Sequence, residues 1–154
     1  MIEVGRSAPD FVLSDHENTH FRLSDFRGRH VLLIFYPHDN GLVCTRQLCN
    51  YRDNWEAFVQ RNIVVLGLNP SSRESHREFA AKFKFPFPLL VDERRAVAEA
   101  YGAIGLLGLS TRAYVLINPD GRVIYSTKEL TIITRQSTYK LMSIFDALQS
   151  EQNS

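Results

Sequence analysis

Apolar and polar positions along this chain fall into blocks whose period changes, and each change predicts an element. Val31-Leu32-Leu33-Ile34-Phe35-Tyr36 and Ile63-Val64-Val65-Leu66-Gly67-Leu68 are apolar throughout, as expected of parallel strands covered on both faces. Between them Cys44, Leu48, Tyr51, Trp55 and Phe58 recur at steps of four, three, four and three, which is one stripe of an α-helix. That helix follows the turn-forming Asp39-Asn40-Gly41. Another helical stripe, His76, Phe79, Ala80 and Phe83, opens near Ser71, with Ser71 and Glu74 at capping-box spacing. His76 falls at the edge of that buried face, where a structural or surface role is expected.

The remaining blocks are shorter. Phe11–Ser14 and Thr19–Arg22 read as a hairpin around polar Asp15–Asn18, and Leu23–Phe26 as one helical turn ended by Gly28. Leu89–Val91 is a short strand, after which Asp92 can cap a helix over Glu93–Tyr101 that Gly102 terminates. Ala103–Ser110 is an apolar loop with glycine and serine breakers, expected either as a buried connection or as an exposed patch for a partner. Arg112–Ile117 and Arg122–Ser126 flank Asn118-Pro119-Asp120-Gly121, the clearest hairpin signal in the chain. A last helix begins near Gln136 with Leu141, Ile144, Phe145 and Leu148 on one face, and residues 150–154 are expected to fray. The order predicts a thioredoxin-like three-layer α/β/α sandwich with a mixed central sheet and an N-terminal β-hairpin, in one domain spanning 1–154.

Composition narrows the class. Of 154 residues, 44% are hydrophobic and 23% charged, and the formal net charge is +1. That balance argues against nucleic acid or an anionic membrane as partner. No apolar run approaches the ~20 residues of a membrane span, and Met1–Gly5 lacks the basic and apolar regions of a signal peptide. A cytoplasmic location is the default expectation, with thiols that start reduced. His16, His20 and His30 have no ligand-like spacing, and two cysteines alone cannot build a structural zinc site, so neither metal nor cofactor is expected.

The two cysteines, Cys44 and Cys49, are therefore either inert core residues or redox partners. Cys44 lies in the first turn of a helix that starts at the carboxyl edge of a buried strand, a recurring setting for a reactive thiolate. Cys49 is about 140° further round, on the wetter side beside Arg52 and Glu56. In an intact helix their Cα atoms are ~8–9 Å apart, whereas a disulfide tolerates less than about 7 Å. Any bond between them requires the helix start to unwind, and Asn40-Gly41 offers a hinge.

The string Phe35-Tyr36-Pro37-His38-Asp39-Asn40, with Cys44-Thr45 and Cys49 beyond it, resembles the peroxiredoxins and within them the bacterioferritin-comigratory, or peroxiredoxin Q, group. The similarity extends through Ala8-Pro9-Asp10-Phe11, Asn50-Tyr51-Arg52-Asp53, Ser75-His76, Pro86–Leu90, Asp92-Glu93, Ala100-Tyr101-Gly102 and Arg112. The resemblance implies a peroxidase in which Cys44 attacks a hydroperoxide and Cys49 resolves the sulfenic acid as an intramolecular disulfide. Thioredoxin or a similar dithiol would reduce that bond. It further implies that Arg112 stabilises thiolate and peroxide, that Pro37 shields the sulfur, and that the backbone of Gly41, Leu42 and Val43 lines the pocket. Physically, a helix terminus supplies only about 0.3–1, at most ~2 kcal/mol to an anion, so a large thiol shift needs a full positive charge as well.

The chain departs from that pattern at Gly41, where the family carries Thr or Ser, at Leu42-Val43 in place of Pro-Gly, and at Gln47 in place of a common Glu. The missing hydroxyl is worth about 1–3 kcal/mol, roughly 10- to 100-fold in rate. It keeps open a second reading, a redox sensor or binding module of the same fold. A disulfide reductase fits less well, because four residues separate the cysteines rather than two. A monomer or weak homodimer is expected, with Ile104–Leu109 as the candidate contact.

Overall fold

The computed structural model describes residues 1–105, 112–129 and 137–152, and at positions 42–44 the backbone alone. β1 (Val12–Ser14) and β2 (His20–Arg22) form the N-terminal hairpin, followed by a 3-10 turn at Leu23–Phe26 and then β3 (His30–Phe35). α1 (Leu42–Asp53) and α2 (Trp55–Gln60) lead to β4 (Ile63–Asn69), α3 (Arg73–Phe83) and β5 (Leu89–Val91). A 3-10 turn at Glu93–Arg95 precedes α4 (Ala96–Ala100). Then come β6 (Arg112–Ile117), β7 (Val123–Glu129) and α5 (Thr138–Gln152).

The sheet runs β5-β4-β3-β6-β7. β3 pairs in parallel with β4, and β4 with β5; β6 is antiparallel to both β3 and β7. The all-apolar runs thus occupy the middle of a mixed sheet, and the period of two explains their composition. Leu32, Ile34 and Tyr36 pack with Leu48, Tyr51, Phe58, Phe79, Leu141 and Phe145 on one face. Val31, Leu33 and Phe35 pack with Leu23, Val97, Ala98 and Tyr101 on the other. Both faces are covered by helices or the N-terminal segment, which is the three-layer arrangement expected from the sequence.

Several local expectations are revised. The long helical stripe breaks at Asn54, which takes φ −115° and ψ 26°. Its side-chain amide donates to the Asn50 carbonyl at 2.8 Å, so it ends α1 before α2 resumes the stripe with Phe58 buried. α3 is capped by Ser72 and not by Ser71: Ser72 Oγ accepts the Ser75 N–H at 3.1 Å. The helix expected over Glu93–Tyr101 starts late, because Arg94 and Arg95 adopt left-handed φ values of 56° and 57°. Asp92 still caps it, accepting the N–H groups of Val97 and Ala98 at 2.9 Å each. α5 continues to Gln152, past the expected fraying point. In the 118–121 turn, Asn118 Oδ1 accepts the N–H groups of Asp120 and Arg122, and Gly121 supplies the positive φ of 85° that the hairpin needs. Most of the Ile104–Leu109 stretch lies outside the described residues; Ala103 and Ile104 pack against the second core.

Candidate active site

Parallel pairing brings the C-terminal ends of β3 and β4 to one edge of the sheet, and the chain leaves each of them to enter a helix. β6 runs the other way, with Ala113 opposite Phe35, so Arg112 begins its strand where β3 ends. Pro37, half-buried, opens the loop that continues through Gly41 to α1. The topology therefore sets Arg112, Pro37 and the first turn of α1 at a common edge.

Cys44 is the third residue of α1, and Gly41 is its N-cap, with φ −66° and ψ 137°. No side chain caps this helix, and its first turn holds no acidic residue. The Thr45 N–H closes the helical hydrogen bond to the Gly41 carbonyl at 2.8 Å. The amides of 42–44 precede that bond and must find acceptors outside the ladder. Such an end is electropositive and suits an anion. The side chains of Leu42, Val43 and Cys44 lie outside the described residues.

Cys49 is a free, half-buried thiol on the same unbroken helix. Burial pushes its pKa above the ordinary cysteine value, the Arg52 charge pulls it down, and Asp53 adds to the rise. Glu56, expected beside it, belongs instead to α2.

Arg112 is buried and its Nε donates to Glu129 Oε2 at 3.2 Å. The two residues are cross-strand partners in β6 and β7. Burial pushes the Glu129 carboxyl above the usual range, with the Arg112 charge the largest opposing influence. Tyr114, two residues along the same strand face, hydrogen-bonds Glu129. Its hydroxyl also accepts from Gln47 Nε2, which donates to the Tyr51 hydroxyl at 3.0 Å as well. Gln47 is one turn beyond Cys44 and only 1% exposed. A continuous buried polar relay thus ties α1 to β6 and β7. Burial pushes the Tyr51 phenol well above its ordinary value, so its hydroxyl stays protonated across the physiological range.

Sequence reasoning missed two partners at this edge. Glu129 was out of view because β7 was expected to stop at Ser126. His76, expected at the edge of the buried face in a structural or surface role, is fully buried, with Nδ1 2.6 Å from Asp39 Oδ2 and Nε2 3.0 Å from the Leu90 carbonyl. Asp39 lies in the loop before α1. Asp39 and Ser75-His76 both fall within the motifs of the family resemblance, which gave neither a role. A groove of about 560 Å³ lined by Val12, Leu13, Pro70, Arg73, Val91 and Ala96 touches none of the predicted site residues.

A profile of the AhpC/TSA family matches residues 4–126. Peroxiredoxin Bcp of Bacillus subtilis is 34% identical over 139 residues, covering 85% of this chain and 88% of that protein. The chloroplastic peroxiredoxin Q of Sedum lineare is 42% identical over 98 residues, covering 64% of this chain and 53% of its own. The crystal structure of peroxidoxin BcpB from Mycobacterium tuberculosis superposes with a TM-score of 0.81 at 26% identity, covering 97% of this chain and 98% of that one.

Proposed function

The chain belongs to the AhpC/TSA family, and from that premise we propose a two-cysteine thiol peroxidase mechanism for it. The Cys44 thiolate attacks the terminal oxygen of a hydroperoxide. An S–O bond forms as the O–O bond breaks, and the departing alkoxide or hydroxide takes up a proton as alcohol or water. The Cys49 thiolate then attacks the sulfenic sulfur; the S–S bond forms, and the oxygen leaves as water after protonation. Thioredoxin or a similar dithiol reduces the disulfide by two exchange steps.

One observation carries this reading: Cys44 sits in an uncapped, acid-free first helical turn at the sheet edge where Arg112 begins β6. The terminus contributes about one pKa unit, and the guanidinium, with its planar donor fork, contributes the rest and can follow charge onto the peroxide oxygen. Pro37 screens the sulfur from water, and the amides of Gly41, Leu42 and Val43 line the pocket. α1 is continuous and Cys49 free, the arrangement this mechanism needs before peroxide arrives. Resolution then unwinds the first turns about Asn40-Gly41, where Asn40 already holds a left-handed φ of 63°. No described helix is long and apolar enough to cross a membrane, and the reaction calls for a compartment that keeps thiols reduced, the cytoplasm above all.

Peroxide-dependent consumption of reduced thioredoxin tests the reading. Turnover should vanish in both Cys44→Ser and Cys49→Ser, with sulfenic acid trapped in Cys49→Ser alone. A sulfenic acid that forms in wild type without sustained turnover would favour a redox sensor, the reading that Gly41 keeps in play.

A further inference from the structure

The loop before α1 is held from one side by an aspartate that is itself buried. Asp39 Oδ1 accepts from the Tyr36 hydroxyl at 2.9 Å and from Asn69 Nδ2 at 3.0 Å. Asp39 Oδ2 accepts from Ser75 Oγ at 2.8 Å and lies 2.6 Å from His76 Nδ1. These contacts join the end of β3 and the end of β4 to α3, 30 to 37 residues away in sequence. The Asp39 and His76 side chains are 1% and 0% exposed.

A proton count follows from the acceptors. The Leu90 carbonyl can only accept, so His76 Nε2 must carry hydrogen. Nδ1 then faces a carboxylate oxygen at 2.6 Å, a distance at which two lone pairs would repel. A further proton must lie between them. Three other donors, the Tyr36 and Ser75 hydroxyls and the Asn69 amide, converge on the carboxylate, which favours its ionised form and places that proton on nitrogen. Burial pushes the Asp39 carboxyl up, but the hydrogen bond and charge of His76, with the hydroxyls of Ser75 and Tyr36, bring it below the ordinary range.

The surrounding groups leave this proton to the pair. Asp15 pairs through its backbone with Leu90, while its carboxylate accepts the amides of Glu17 and Thr19. Asp92 is committed to Val97 and Ala98. Arg95 lines a small void with Tyr36 and Asp92, and on α3 Arg73, Glu74, Arg77 and Glu78 face outward, as does His38 in the loop.

We propose that Asp39 and His76 share a buried proton that clamps the loop before the reactive helix, making them positioning residues for Cys44. The clamp stops at Asp39. Asn40 beyond it is exposed and left-handed, and Gly41 is an uncapped helix start. The loop is therefore a fixed half followed by a hinge, so that α1 can unwind for resolution without losing Pro37 and the sheet edge. The clamp rests on the geometry above, and its catalytic role on the peroxidase reading.

The test uses the full chain. Nitrogen-15 NMR of the imidazole at pH 7 should show both nitrogens of His76 protonated; a free Nδ1 lone pair overturns the proposal. In Asp39→Asn, amide exchange at 40–44 should rise about tenfold relative to 48–53, and the single-turnover rate of Cys44 oxidation should fall about tenfold. Exchange at the wild-type ratio overturns it. The ratio should rise in His76→Asn as it does in Asp39→Asn; a wild-type ratio in His76→Asn would reduce His76 to a packing residue. If Asp39→Asn does not fold, Ser75→Ala removes one donor only and should raise the exchange ratio two- to threefold, an unchanged ratio again overturning the clamp. A protonated pair with slow exchange but no Cys44-dependent peroxide loss would overturn the peroxidase reading and leave the clamp standing.

Discussion

α1 and α3 start at the same sheet edge, each just after a central parallel strand, yet their first turns are built in opposite ways. α3 has Ser72 accepting the Ser75 amide and Glu74 in its first turn, which together satisfy a helix N-terminus and neutralise its positive end. α1 has Gly41, with no side-chain cap and no acid. A capped end is worth about 1 kcal/mol of stability. Leaving α1 bare forgoes that stabilisation and keeps the amides and positive potential of the first turn for an anion. One connection is closed for stability and the other, on the proposed mechanism, is left open for chemistry.

The largest break in this contrast comes from the charge facing the open end. Arg112→Ala should lower the second-order rate of peroxide reduction by about 10²–10³-fold, measured by stopped flow, with some loss of stability because Glu129 is left buried without its cation. A rate within threefold of wild type would show that the helix terminus alone activates Cys44.

Gly41→Thr asks whether the open end needs a hydroxyl. The φ of −66° at this position is open to any L-residue, so the change imposes no left-handed backbone strain. The peroxide rate should rise about tenfold or more. An unchanged steady-state rate would mean the hydroxyl is dispensable here.

Cys49, the resolving thiol of the proposed mechanism, should contribute a smaller, pH-dependent effect. Because burial raises the Cys49 pKa, its thiolate fraction near neutrality is below that of a free cysteine. Disulfide formation after a single peroxide turnover should therefore quicken several-fold from pH 7 to pH 8, up to the tenfold limit of one ionisation. A flat profile would mean that unwinding, not ionisation, sets the rate.

The smallest effect lies at the closed end. Ser72→Ala should cost about 1 kcal/mol in urea denaturation and leave the peroxide rate unchanged. A slowed rate would show that the Ser72 cap also sets the position of the Ser75 hydroxyl on Asp39.

Much of this was legible along the chain. The two all-apolar runs are central strands because only a strand covered on both faces excludes polar residues at every position. The stripe through Cys44, Leu48 and Tyr51 is helical because its period is 3.6. Errors arose where one side chain overrode a local signal. Asn54 bonds back to Asn50 and breaks the stripe. Ser72 takes the cap that the spacing of Ser71 and Glu74 suggested, because the Ser71 hydroxyl accepts the Asp39 amide.

The sequence by itself determined the layers, the mixed sheet and the place of both cysteines on one helix, since each depends on residues within a few positions of one another. Only the tertiary structure decided who faces whom at the sheet edge. Arg112 meets Glu129 because β7 runs three residues past its expected end in register with β6. Asp39 meets His76 across 37 residues because α3 returns over the parallel pair. Hydrophobic period is set by backbone geometry within one element, whereas a buried ion pair depends on where two crossovers lay their strands.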